Sequence, residues 1–94
     1  MKKIENAELL YKAVLALETK KECEKFFEDL FTVTELIEIS QRLEVAKMLR
    51  KQCVYSDIVS KTGASTATIS RVNRCLNYGA DGYRIALERI EEDE

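Results

Sequence analysis

The stretch from Ser56 to Val72, which reads SDIVSKTGASTATISRV, constrains the fold of this chain more than any other segment. Its first half has the apolar spacing of a short helix, and Gly63 can adopt the left-handed backbone conformation that ends a helix. Ser65 carries a side chain preferred at a helix N-cap, so a second helix is predicted directly after it. A short helix, a glycine turn and a second helix form the plan of a helix-turn-helix, predicted here at about residues 55–77.

Helix-start signals elsewhere divide the rest of the chain into further helices. Thr19 with Glu22, and Thr32 with Glu35, have the spacing of capping boxes, in which the two side chains accept hydrogen bonds from backbone N–H groups at the helix start. The chain contains no proline and only three glycines, which favours helices joined by short turns. The sequence therefore predicts an all-α, six-helix fold in one domain over residues 1–94. The expected helices span about residues 4–17, from 19 onward, 32–51, 56–62, 66–77 and 81–92, with a frayed end at residues 91–94.

The predicted helices near the N-terminus are apolar around much of their circumference. A helix of this kind requires burial on more than one side. The last three helices have too little apolar surface to cover it. The distribution favours burial against a second copy of the chain, with a compact monomer as the alternative. The residues expected to face inward are Ala7, Leu10, Tyr11, Val14, Leu17, Cys23, Phe26, Phe27, Leu30, Leu36, Ile37, Ile39, Leu43, Ala46, Leu49, Ile58, Val59, Tyr83, Ile85 or Ala86, Leu87 and Ile90.

Charge is distributed in three blocks along the chain. The formal net charge is −2, but residues 41–77 carry seven Lys and Arg against two Asp and Glu, a local charge of +5. Residues 1–40 and 78–94 carry −3 and −4. A basic middle between acidic ends is typical of a local phosphate-binding face, although a mixed solvated surface gives the same pattern.

The second helix of the predicted helix-turn-helix begins with the small residues Thr66, Ala67 and Thr68. Small side chains allow a helix end to enter the major groove and reach base edges and thymine methyl groups. Hydroxyl residues are mediocre helix formers, so their position favours a functional surface over a helical hairpin that only packs. The predicted partner is double-stranded DNA. The predicted DNA-binding residues are Lys61, Ser65, Thr66, Ala67, Thr68, Ser70, Arg71 and Arg74, while Ile58, Ala64, Ile69 and Val72 are expected to pack the two helices together.

The segment Gly63–Arg71, GASTATISR, resembles the reading head of the Trp repressor superfamily. The resemblance extends through Leu30–Glu35 and Gln41–Leu43, and the whole chain most closely resembles the Trp-repressor-related YerC/YecD family, including its Asn77–Tyr83 stretch. It covers about residues 30–90 well and the first helices only in pattern. The resemblance implies an intertwined homodimer whose reading heads face successive major grooves. It also implies a bacterial, cytoplasmic, sequence-specific transcriptional regulator, expected to be a repressor.

The same resemblance implies a pocket for a small effector. Arg42 and Arg71 correspond to two pocket arginines, and Thr32 corresponds to a pocket threonine that the partner chain contributes. Two guanidinium groups can clamp a planar ring and a carboxylate, although Arg42 also fits a solvated or salt-bridged helix residue. Val72 replaces a pocket glycine and Cys75 a pocket serine, and the β-branched Val72 is expected to crowd an indole. The expected corepressor is therefore an amino-acid-like molecule other than tryptophan.

Composition excludes other classes of function. The chain has no histidine for acid–base chemistry or for a Ser/His/Asp arrangement, no glycine-rich phosphate loop and no spacing typical of metal ligands. Catalytic residues, metal ions and other cofactors are therefore not expected. Three widely spaced cysteines are interpreted as buried thiols in a reducing cytosol.

Neither a membrane span nor a secretory signal is expected, because no apolar run is long enough and the first residues read MKKIEN. One alternative to a DNA-binding regulator remains, namely a protein-interaction module that keeps the same fold and has lost DNA binding. The acidic ends of the chain fit that reading.

Overall fold

The computed structural model describes residues 4–92, and every regular element in that range is an α-helix. The predicted all-α, six-helix architecture is confirmed, and no helix end departs from its predicted position by more than three residues. The last helix includes Glu91 and Glu92, while the rest of the expected frayed end, residues 93–94, lies outside the described residues. The helices are α1 (Ala7–Ala16), α2 (Lys20–Leu30), α3 (Val33–Arg50), α4 (Tyr55–Thr62), α5 (Thr66–Tyr78) and α6 (Gly82–Glu92).

The capping box predicted at Thr32 forms completely, and at Thr19 the returning bond comes from the residue before the cap. The Thr19 hydroxyl accepts a hydrogen bond from the Glu22 backbone N–H at 3.1 Å, and the Glu22 carboxylate accepts from the Glu18 N–H at 2.8 Å. At the start of α3, the Thr32 hydroxyl accepts from the Glu35 N–H at 3.1 Å, and the Glu35 carboxylate accepts from the Thr32 N–H at 2.9 Å. These bonds satisfy backbone donors that a helix start otherwise leaves unpaired.

The chain divides into two compact units, one ending at Leu36 and one beginning at Ile37. The first unit contains α1, α2 and the start of α3, and none of its described residues is buried. On α1, Leu10, Tyr11 and Val14 were expected to point inward but are exposed in the single chain, whereas Ala7 is half-buried. Leu15 of the same helix is 85% exposed. The residues of this unit that were expected to face inward are at most half-buried within one chain, and a single domain over residues 1–94 stays a prediction.

The second unit has a continuous apolar core. Helices α3 to α6 and the turn before α5 all contribute to it, which fixes α4 and α5 against the C-terminal half of α3. The predicted packing of Ile58, Ala64, Ile69 and Val72 is confirmed, and Ala46 and Leu87 are buried as expected. The core also contains Val45 and Met48, which the sequence reasoning did not select.

Several residues expected to face inward are exposed in the single chain. The expected burial of Val59 is wrong. Helix α4 has only eight residues, and its buried side is centred on Ile58, from which Val59 is rotated by about 100° around the helix axis. The apolar stripe of α3 is covered only toward its C-terminal end, where the core lies. The other residues of the second unit that were expected to face inward and are exposed are Ile37, Ile39, Leu43, Ile85, Ala86 and Ile90.

The three cysteines are free thiols. Cys23 and Cys53 are half-buried, whereas Cys75 is exposed, so the expectation of burial is wrong for Cys75. The reason is its position on α5, away from the side of the helix that buries Ile69 and Val72. A helix long and apolar enough to cross a membrane does not occur between residues 4 and 92.

Candidate nucleic-acid interface

The turn between α4 and α5 is built as the sequence predicted. Gly63 ends α4 with a φ of 73°, and its N–H donates to the Val59 carbonyl at 2.9 Å. Only glycine adopts this left-handed conformation without strain. Ser65 caps α5, since its hydroxyl oxygen accepts from the Thr68 N–H at 3.1 Å. The direction of α5 is therefore set by two local features within three residues of the chain.

The Thr62 side chain is a third local feature that holds the turn, and it was not predicted from the sequence. Its hydroxyl donates to the Ile58 carbonyl at 2.7 Å and accepts from the Ala64 N–H at 3.1 Å. An aliphatic side chain at this position would pack but would leave the Ala64 N–H without this partner. Gln41 of α3 also reaches the turn, because its side-chain amide donates to the Thr62 carbonyl at 3.0 Å. The hydroxyl next to the glycine was the only sequence signal for these contacts.

The residues predicted to bind DNA lie on the surface of the helix-turn-helix formed by α4 and α5 (Tyr55–Tyr78). Thr68 is half-buried and the others are exposed, while Ile69 and Val72 anchor the opposite side of α5 in the core. Positions 66, 70 and 74 follow each other at the spacing of one helical turn, so they lie on one face. The structure thus brings the predicted residues together on α5, with Lys61 at the end of α4.

The cationic residues of this surface have no anionic partner among the described side chains. The four ion pairs between described residues involve Lys20, Arg50 and Arg84, and none of them uses Lys61, Arg71 or Arg74. Exposed cations without carboxylate partners, next to the free N–H groups of a helix start, suit a polyanion such as a phosphate backbone.

The residues predicted for the effector pocket do not all share one environment. Arg42, Arg71 and Cys75 are exposed, whereas Val72 is 1% exposed and its side chain belongs to the core. Thr32 lies in the first unit, where it caps α3. No described group of three or more Cys, Asp or Glu side chains has an arrangement that would hold a metal ion.

Tyr83 of α6 is half-buried and packs against the core, as the sequence predicted. Partial burial, and then the nearby Cys75 thiol, raise the pKa of the Tyr83 phenol above its ordinary value of 10.0, while the Arg42 guanidinium acts in the opposite direction.

Comparison with known proteins gives consistent relatives. The family model described as Trp repressor protein matches residues 5–91. The uncharacterized protein YerC of Bacillus subtilis is 54% identical over 85 residues, which cover 90% of this chain and 82% of that protein.

Two solved structures have the same fold. A TrpR-like protein from Eubacterium eligens is 55% identical, with a TM-score of 0.89 over 95% of this chain and 92% of that chain. A structure from Staphylococcus aureus, described as that of a candidate Trp repressor, is 46% identical, with a TM-score of 0.89 over 95% of this chain and 89% of that one. At the level of the family, these relatives indicate a DNA-binding regulator and not an enzyme. The six-helix chain, with its capped and exposed α5, belongs to the Trp repressor family and within it to the YerC-related proteins.

Proposed function

We propose that this protein is a homodimeric, sequence-specific DNA-binding regulator that represses transcription in the bacterial cytoplasm. The observation that carries the proposal is the exposed face of α5, where small hydroxyl residues at the helix start are followed by Arg71 and Arg74 without carboxylate partners. The start of α5 enters the major groove, and Thr66, Ala67 and Thr68 face the base edges. Lys61, Ser70, Arg71 and Arg74 contact the phosphates on either side.

The dimer is supported by the first unit. Its helices α1 and α2 contain ten and eleven residues, a length at which an isolated helix is only marginally stable in water. Neither buries a residue within one chain, and Leu9 and Leu15 are 73% and 85% exposed. Exposed apolar patches of this kind are typical of interaction surfaces. A second copy covers them and presents two α5 helices to half-sites one helical turn apart, roughly 34 Å.

Arg42 and Arg71, which are exposed and carry guanidinium groups able to bind a carboxylate, support control by a small amino-acid-like effector other than tryptophan. Arg42 binds the carboxylate of that effector, with Arg71 and the partner subunit's Thr32 as further contacts. The effector acts by favouring one orientation of α5, and it shifts the equilibrium only by the difference between its affinities for the two orientations.

The first experiment is selection of genomic DNA fragments by the purified protein, with and without a pool of the twenty amino acids. A recovered pseudo-palindrome supports a dimeric sequence-specific regulator, and dependence on the pool supports an effector. Thr68→Ala and Arg74→Ala are expected to weaken binding to that sequence while the dimer persists in sedimentation. Arg89→Ala is the matched control, because it removes the same charge from an exposed position on α6. Equal affinity of all three variants and the unmodified protein contradicts the assigned interface.

A protein-interaction module is the second candidate, favoured by the net charge of −2 and the acidic blocks that flank the basic segment. The salt dependence of DNA binding separates the two. Phosphate contacts release counterions, so affinity for DNA must fall steeply with salt concentration if the interface is real. A flat dependence, or no binding at low salt, supports the interaction module.

A further inference from the structure

The polar contact between α3 and the turn before α5 has a role beyond local packing. We infer that Gln41 is a positioning residue that holds α5 in its DNA-reading orientation through the hydrogen bond from its side-chain amide to the Thr62 carbonyl. The inference rests on the proposed DNA-binding function.

The bond links segments that are far apart in sequence. Gln41 and Thr62 are separated by 21 residues, and their contact is partly buried. Among the described residues, no other side-chain hydrogen bond joins α3 to α4, α5 or the turn between them; the remaining long-range one joins Arg50 to Glu88. The contacts that hold α4 and α5 to α3 are otherwise apolar. Apolar packing is weakly directional, whereas a hydrogen bond to a carbonyl fixes both distance and angle.

The accepting carbonyl lies at the junction between α4 and the turn that leads to α5. Thr62 is the last residue of α4, and its hydroxyl already bonds the Ile58 carbonyl and the Ala64 N–H. Gly63 follows, with the Gln41 amide nitrogen 4.0 Å from the position that a Cβ would occupy there. A shift of this carbonyl therefore moves the turn and the start of α5 together. Gln41 acts on that carbonyl directly, from the helix that carries much of the core.

The chemistry of the contact requires an amide donor. A carbonyl oxygen only accepts, so the NH₂ group and not the oxygen of Gln41 must face Thr62. Methionine has nearly the same length and shape but no donor. Glutamate has the same shape but, when ionised, places an acceptor against an acceptor. Both substitutions remove the bond while keeping the bulk of the side chain.

The test uses the full-length protein and its Gln41→Met variant, with Ser40→Ala as the matched control because Ser40 is the exposed neighbour on the same helix. Gln41→Met is expected to lower affinity for the selected DNA sequence by about three- to fivefold per reading head, the size of effect typical of one neutral hydrogen bond. Affinity for random DNA of the same length is expected to stay unchanged, because the phosphate-binding cations are intact. A loss of specific binding with unchanged non-specific binding is not produced by a merely structural residue, because general destabilisation lowers both.

A second measurement requires no DNA. Amide hydrogen exchange in the free protein is expected to speed up at residues 62–68 in Gln41→Met, while α6 and the rest of α3 keep their protection. Gln41→Glu provides an independent variant and is expected to show the same localised change. Unchanged exchange at residues 62–68 in both variants overturns the positioning role, whether or not the protein binds DNA. If Gln41→Met and the unmodified protein discriminate equally well between selected and random DNA, the positioning role is also overturned, while the proposed function stands. Failure of the unmodified protein to bind any DNA overturns the proposed function itself.

Discussion

Replacing Val72 by alanine tests whether the side of α5 opposite the proposed interface holds the helix in place. Val72 is 1% exposed and belongs to the core shared by α3 to α6. The substitution removes two methyl groups, each worth about 0.8 kcal/mol when buried. The cavity left behind raises the loss to about 2–3 kcal/mol, since surrounding side chains relax only partly. Alanine is the better helix former by about 0.5 kcal/mol. The expected net loss in the free energy of unfolding is therefore about 1.5–2.5 kcal/mol.

The matched control is Val59→Ala on α4. Both positions are helical, so the gain in helix propensity is the same, but Val59 is 37% exposed and lies outside the core. Its expected loss is no more than about 0.5 kcal/mol. Urea unfolding followed by circular dichroism measures both, with all proteins at one concentration because the stability of an oligomer depends on it. Losses for the two variants that agree within about 0.5 kcal/mol would refute the assigned core.

The same burial determines how Val72→Gly must be read. The sequence alone suggests that this change clears space for an indole, whereas the structure shows that it empties part of the core. It also places a glycine inside a helix, which costs about 1 kcal/mol relative to alanine. Tryptophan binding to this variant by calorimetry is informative only at a temperature where its unfolding curve shows it to be folded.

Three further predictions follow from individual contacts. Gly79→Ala is expected to lower stability by about 1–3 kcal/mol in urea unfolding, because the new Cβ would overlap the backbone carbonyl of Cys75. Ser65→Ala is expected to cost about 1 kcal/mol through loss of the cap, whereas Ser70→Ala, exposed on the same helix, should cost much less; equal thermal midpoints would contradict the cap. Ultraviolet titration should show one tyrosine ionising above the ordinary pKa of 10.0, and Tyr83→Phe should remove that component. Because the folded-state pKa of Tyr83 is the higher one, its contribution to stability is complete below pH 10.0 and is lost as pH rises through the raised value.

The local signals at helix ends could be read from the sequence. Thr19, Thr32 and Ser65 cap the helices at which they were predicted, and Gly63 has the predicted left-handed conformation. Each of these signals depends on residues within three or four positions of one another. Such short-range rules operate regardless of how the helices later pack.

The inward faces were harder to predict, because burial depends on which helices meet. Val45 and Met48 are core residues and Leu43 is exposed, although all three lie within two turns of α3. Periodicity marks an apolar side of a helix but not how far a neighbour covers it. For the candidate site, the exposure of most residues selected on α5 follows from their types, and their binding of DNA stays a prediction. The hydrogen bond from Gln41 could not be predicted, because its partner Thr62 lies 21 residues away in the sequence.

The unburied first unit has a consequence for the cell as well as for the fold. A newly made chain that has not met a partner displays Leu9, Leu15 and their neighbours on short helices that open readily. Proteases cleave such segments in proportion to the time they spend open. If a second copy covers these helices as proposed, unassembled copies are expected to be cleared faster than assembled ones. The amount of assembled protein would then rise more than in proportion to its synthesis.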